Sequence, residues 1–164
     1  MRDFDSIIKA LNLLPHPEGG FYKETHRSNI IITSPQQSGE KSAYTAIYYL
    51  LGGQDFSSWH RIQSDETWFF HFGCDVLIYY FDDQKVLQIL PLGMESKNLQ
   101  LTIPANTWFA AKPIDETSFS LVSCAVAPGF EFVDFEIGNR HKLLNEFGSI
   151  TANTQAIEAL TRDK

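Results

Sequence analysis

A chain of 164 residues with 43% hydrophobic and 20% charged residues has the length and balance of one globular domain with a full core. Its formal net charge of -7, with no Lys/Arg run, argues against nucleic acid or an anionic membrane as partner. No apolar run approaches the roughly 18 residues that a spanning helix needs, and residues 1–5 lack the apolar stretch of a signal peptide, so a cytoplasmic location is expected.

Residues 3–14 read as a helix, with Ile7, Ile8, Leu11 and Leu14 on one stripe, Asp5 or Ser6 as cap, and Pro15 and Pro17 as the stop. Residues 21–32 read as extended, and 34–41 as a polar loop. Short strands then follow at 44–51, 67–72, 76–81, 85–90, 99–103, 107–112 and 118–127, separated by Gly, Pro and Asp-Asp turn signals. Helices are expected at 140–147 and 153–162. Strand after strand with no intervening helix predicts an antiparallel sandwich or barrel. One domain is expected over 1–164, with a barrel core at about 20–136 and a helical tail at about 139–162.

Thirteen Phe, six Tyr and three Trp, many at alternating positions, suit a barrel lined with rings. Cys74 and Cys124 are too few for a disulfide framework, and both fall in apolar strand patterns where buried thiols are usual.

Chemistry concentrates between Gly53 and Gly73. His60 and Glu66 lie six residues apart in an aromatic strand pattern closed by Gly73. This resembles the first motif of the cupin superfamily, with Ile62 where a second histidine normally stands. Pro104-Ala-Asn106-Thr-Trp108-Phe109 resembles the second motif, with Asn106 for glycine and Phe109 for the last histidine. More specifically, Leu13-Leu-Pro-His16-Pro-Glu18-Gly-Gly20, the following Tyr22-Lys-Glu24-Thr and Arg27-Ser28, His60-Arg-Ile-Gln-Ser-Asp-Glu66-Thr-Trp68 and Ala127-Pro-Gly-Phe-Glu131-Phe-Val-Asp134-Phe-Glu136 are similar to the Cupin_5 family. The resemblance implies a double-stranded β-helix, or jelly roll, all-β in the main, and a homodimer. It implies no particular activity.

At the cupin metal positions only His60 and Glu66 offer donors, whereas metal sites usually use three or four side chains. No cofactor is therefore expected, and a divalent ion at His60 and Glu66 would need a further ligand from His16, His26 or His71. The same two residues suit acid–base work, because an imidazole titrates near neutrality and a carboxylate can orient it. The plainer alternative is a structural contact between strands. Strand alternation places Glu66, Trp68 and Phe70 on one face.

Metal-free catalysis invites comparison with sugar-nucleotide 3,5-epimerases, which share the jelly roll and use a histidine base and a tyrosine acid. His60 would be the base, and Tyr49 or Tyr22 the acid, because no tyrosine follows Tyr80. Gly19 and Gly20 specify a turn, whereas His16 and Glu18 are free to line a cavity mouth or a dimer contact. Glu24 and Arg27 follow on an extended segment, where Arg27 can grip a carboxylate or phosphate, or pair with a surface glutamate. Residues 130–136 read as a strand with one buried aromatic face, the alternative being that Glu131 or Asp134 is turned to the cavity; Asp134 is read with the strand and Glu131 as a ligand contact. Phe109 is placed where a metal-binding histidine would sit. The expected function is binding of a small polar organic ligand, by a metal-free isomerase or epimerase for a carbohydrate or sugar-nucleotide-like molecule. The alternatives are a non-catalytic binding or sensing module and, behind it, a metal-dependent oxygenase or isomerase.

Overall fold

The computed structural model describes residues 3–34, 37 and 39–162. Its thirteen strands, in chain order, are β1 (Leu14–Pro15), β2 (Phe21–Arg27), β3 (Ile31–Thr33), β4 (Glu40–Ser42), β5 (Thr45–Gly52), β6 (Ser57–Ile62), β7 (Asp65–Gly73), β8 (Val76–Phe81), β9 (Leu87–Leu92), β10 (Gln100–Ile103), β11 (Phe109–Pro113), β12 (Phe119–Ala127) and β13 (Phe135–Ile137). Helix α1 (Phe4–Leu11) precedes them, and α2 (Arg140–Phe147) and α3 (Thr151–Ala159) follow. Among these described elements no helix is long and apolar enough to cross a membrane.

Six strands form one antiparallel sheet in the order β1-β2-β5-β12-β7-β10, and five form the facing sheet, β13-β6-β11-β8-β9. Long crossings such as β12 between β5 and β7 give the jelly roll. The reason lies in alternation along each strand. Tyr49 and Leu51 of β5 point between the sheets, with Trp68, Val122, Cys124, Ile78 and Phe109. Leu50 and Leu121, one position out of step, point outward and are covered by Ile7 and Leu13. On the far side Trp59, Phe81 and Ala110 meet Leu143, Phe147 and Ile157, so the helical tail caps the second sheet. Trp59 and Phe81 stack at 4.4 Å, and Phe81 and Phe147 at 4.2 Å.

Several local expectations change. Helix α1 is capped by Asp3, whose carboxylate accepts the Ser6 N–H at 2.7 Å, not by Asp5 or Ser6. It ends at Asn12 in the left-handed region, φ 54°, before either proline is reached. Leu14 therefore leaves the helical stripe and is exposed in β1. The extended stretch breaks at Ser28–Ile30, where a small hairpin β3–β4 begins. Cys124 is buried in β12, whereas Cys74 lies just beyond β7 and is half-buried. Residues 130–134 are not a strand: a 3-10 turn at Phe132–Asp134 leads into β13.

Candidate functional site

A cavity of about 120 Å³ opens at one end of the barrel. Its walls follow from strand parity. Thr45 and Ile47 of β5, and Cys124 and Val126 of β12, are alternate residues on the inner face, as are His60 and Ile62 of β6. On β2, Tyr22 and Glu24 face inward. A bulge between Glu24 and His26 then shifts the parity, so that Arg27 turns to the cavity while His26 stacks on Tyr44 outside. The segment carrying Phe130, Glu131, Phe132 and Phe135 forms the rim.

His60 and Glu18 meet here. Nε2 of His60 is 3.2 Å from Oε2 of Glu18, with both side chains buried. Ser57 Oγ donates to Oε1 of Glu18 at 2.9 Å, and Nδ1 of His60 lies 2.7 Å from the Ser58 carbonyl. A carbonyl only accepts, so Nδ1 carries a ring proton and Nε2 is turned toward the Glu18 carboxylate.

The turn between β1 and β2 explains how Glu18 gets inside. Gly19, at φ 115°, runs so close to its neighbours that a Cβ would sit 2.1 Å from the Phe56 carbonyl oxygen. The Glu18 carbonyl accepts the Ser58 N–H at 2.8 Å, the Gly20 N–H donates to Asp55 at 2.8 Å, and the Tyr49 hydroxyl donates to the Gly19 carbonyl at 2.7 Å. Three hydrogen bonds lock the turn against the barrel, with the Glu18 side chain on the cavity wall.

His16 lies beside the pair. Burial pushes its pKa down, Glu18 pulls it back up, and His60 pushes it down again. The Glu18 N–H points at Nδ1 at 3.3 Å, so the neutral ring carries its proton on Nε2. Its ring meets Tyr22 edge-on at 4.6 Å.

Glu66 lines the cavity but is not the partner of His60. Burial, reinforced by the nearby charge of Glu18, pushes its pKa up to about 8, while Cys124 and Trp68 pull the other way. It is a neutral carboxylic acid near pH 7. Burial and the Glu66 carboxyl push the Cys124 thiol up as well.

Arg27 at the mouth forks onto Glu24, Nε to Oε1 at 3.0 Å and Nη2 to Oε2 at 2.8 Å, and Nη1 donates to Glu131 at 2.7 Å. Nη2 also donates to the Phe130 carbonyl at 3.1 Å. Asp134 turns away from the cavity and forms a buried ion pair with Lys41 at 2.6 Å, which ties the rim segment to the β3–β4 hairpin.

Of the residues singled out in the sequence, His16, Glu18, Tyr22, Glu24, Arg27 and His60 line the cavity, joined by Glu66 and Glu131. Tyr49, Trp68, Phe70 and Phe109 belong instead to the packed core between the sheets. The Tyr49 hydroxyl is engaged by Gly19, so it is not available as an acid. Cys124, Phe130, Phe132 and Phe135 line the cavity without having been singled out for it. Alternation from Val122 signals Cys124; nothing local signals a rim that turns before β13.

The donor set does not fit a metal of the usual cupin kind. Ile62 puts hydrocarbon on the wall, and Phe109 packs its ring 4.1 Å from that of His60. Among the described residues no three His, Cys, Asp or Glu side chains are arranged to hold an ion. Asn106, at the glycine position of the second motif, takes φ 64°, a conformation asparagine adopts more readily than most residues.

The model of Cupin_5, described as Cupin superfamily (DUF985), matches residues 5–138. A hypothetical protein from Leishmania major is 30% identical over 98% of this chain and 99% of its own, with a TM-score of 0.88. A protein from Shewanella oneidensis is 32% identical over the full length of both chains, also with a TM-score of 0.88. A cupin-2 domain protein of Rhodospirillum rubrum shares the fold at 12% identity, with a TM-score of 0.60 over 92% of this chain and 89% of its own. No curated protein matches the chain.

Proposed function

The chain belongs to the Cupin_5 family, and from that premise we propose that it is a small-molecule-binding cupin whose cavity performs metal-independent proton transfer, an isomerase or epimerase type of reaction. The observation that carries this is the buried His60–Glu18 pair on the wall of a cavity. An imidazole beside a carboxylate on one wall and a neutral carboxylic acid, Glu66, on another give the site a base and an acid. Nε2 of His60, oriented by Glu18 and by the Nδ1 contact with Ser58, takes a proton from one atom of a ligand, Glu66 supplies one to another, and exchange with water resets both groups. Ligand composition is unchanged, and no redox partner is needed.

The lining narrows the ligand. Arg27 is the cation among the lining residues and is already bonded to two carboxylates, so a nucleotide diphosphate finds no cradle. Uncharged polar molecules are accommodated more readily than phosphorylated sugars.

The non-catalytic binding module is favoured by one feature, the engagement of Tyr49 away from the cavity, which removes the tyrosine acid of the epimerase comparison. Deuterium exchange separates the two readings. Cavity-binding molecules are incubated with the protein in D2O, and deuterium at carbon is read by mass spectrometry. Proton transfer predicts incorporation that His60→Gln abolishes while binding persists. Binding without incorporation by the unaltered protein assigns the cavity to ligand binding alone.

A further inference from the structure

Resting on the ligand-cavity reading above, we infer that the cavity selects a small organic cation, an alkylammonium or quaternary ammonium, through the carboxylates and aromatic rings at its mouth. Charge is the first ground. Glu24 and Glu131 flank the single guanidinium of Arg27, which leaves this trio with one net negative charge. The Glu18 carboxylate on the inner wall is faced by His60, not by a lysine or arginine. His16 is held neutral, and the chain as a whole carries -7. An anion entering the mouth must displace a carboxylate from a fork of charge-assisted hydrogen bonds, whereas a cation is attracted throughout.

The rim rings are the second ground. Phe130, Phe132 and Phe135 stand mutually edge-to-face, with centroids 5.0, 6.0 and 6.2 Å apart. Phe132 lines the cavity yet is 55% exposed, so ring surface is left uncovered at the entrance. Tyr22 faces in from β2. Rings with carboxylates beside them suit an ammonium group, which ring faces attract and which needs no directional acceptor when fully methylated. Size is the third ground. A cavity of about 120 Å³ takes a molecule of a few heavy atoms rather than a nucleotide.

Isothermal titration calorimetry at low ionic strength tests this with four probes of similar bulk: tetramethylammonium, n-propylammonium, tert-butanol and propionate. The expected result is binding of the two cations, weaker binding of tert-butanol, and no binding of propionate. Affinity for tetramethylammonium should fall about 2- to 30-fold in Phe132→Ala. Glu131→Gln should weaken both cations and flatten their salt dependence. Phe132 and Glu131 are well exposed, so neither change threatens the fold. Propionate or tert-butanol binding as tightly as the cations would overturn the charge assignment and leave the ligand cavity standing. No binding by any of the four would count against the cavity itself as well.

Discussion

Oε2 of Glu18 lies 3.2 Å from Nε2 of His60, and the two residues come from a tight turn and an inner strand that only the closed barrel brings together. Removing one member of a buried pair leaves the other without its partner, at a cost of about 3–5 kcal/mol. Glu18→Ala should therefore lower the urea unfolding free energy by about this amount. Glu18→Gln, which can still hydrogen-bond to both Ser57 and Nε2, should lose much less stability but all proton transfer. A loss below about 1 kcal/mol in Glu18→Ala would show that the pair is not formed in solution.

Glu66 sets a pH dependence of opposite sign to that of an ordinary carboxylate. Its folded pKa of about 8 lies above its ordinary value of 4.5, so between these pH values the folded state binds more protons than the unfolded state. Its contribution is fully present at acid pH and declines as pH rises from about 4.5 to 8, by at most on the order of 5 kcal/mol. Glu66→Gln should flatten this part of the stability curve. Urea titrations at pH 5, 6.5 and 8 should show the variant gaining on the unaltered protein at each step; a constant difference would contradict the raised value.

The Lys41–Asp134 pair fastens the rim. Both side chains are buried, so Lys41→Met or Asp134→Leu alone should cost about 3–5 kcal/mol, while the double variant should recover much of the loss. A double-mutant cycle by chemical denaturation measures the coupling. Additive losses would show that the rim is held by other contacts.

Gly19→Ala should cost about 1–3 kcal/mol from its backbone conformation alone, with a further penalty from the approach to the Phe56 carbonyl. It should also weaken ligand binding, because Glu18 is positioned by this turn. Gly39→Ala has positive φ too but open space around it, and should show the conformational cost without the binding defect.

Much of this was legible in the sequence, for reasons that were local. Alternating rings and Gly or Pro stops marked β8 and α2 to the residue, and β5, β7, β9, β10, β11 and β12 to within two, whereas β6, which carries His60, was not marked as a strand of its own. The glycines of the β1–β2 turn marked a backbone that other residues cannot follow. What could not be read was pairing at a distance. Glu66 is closer in sequence to His60 than Glu18 is, but β7 belongs to the sheet opposite β6, and Glu66 is left beside Cys124. Tyr49 has the right parity for the cavity but lies too deep, and its hydroxyl is taken by Gly19. The rim residues 130–134 have strand-like alternation, yet Lys41 draws Asp134 into a turn that periodicity does not register.

Native mass spectrometry of the untagged chain, purified without chelators, tests most directly whether this cavity works without a metal. The expected spectrum shows polypeptide mass, with or without a small organic adduct, and no metal retained in proportion to the chain. Iron, manganese, zinc or nickel retained at one per chain would contradict the reading of Ile62, Phe109 and the His60–Glu18 pair.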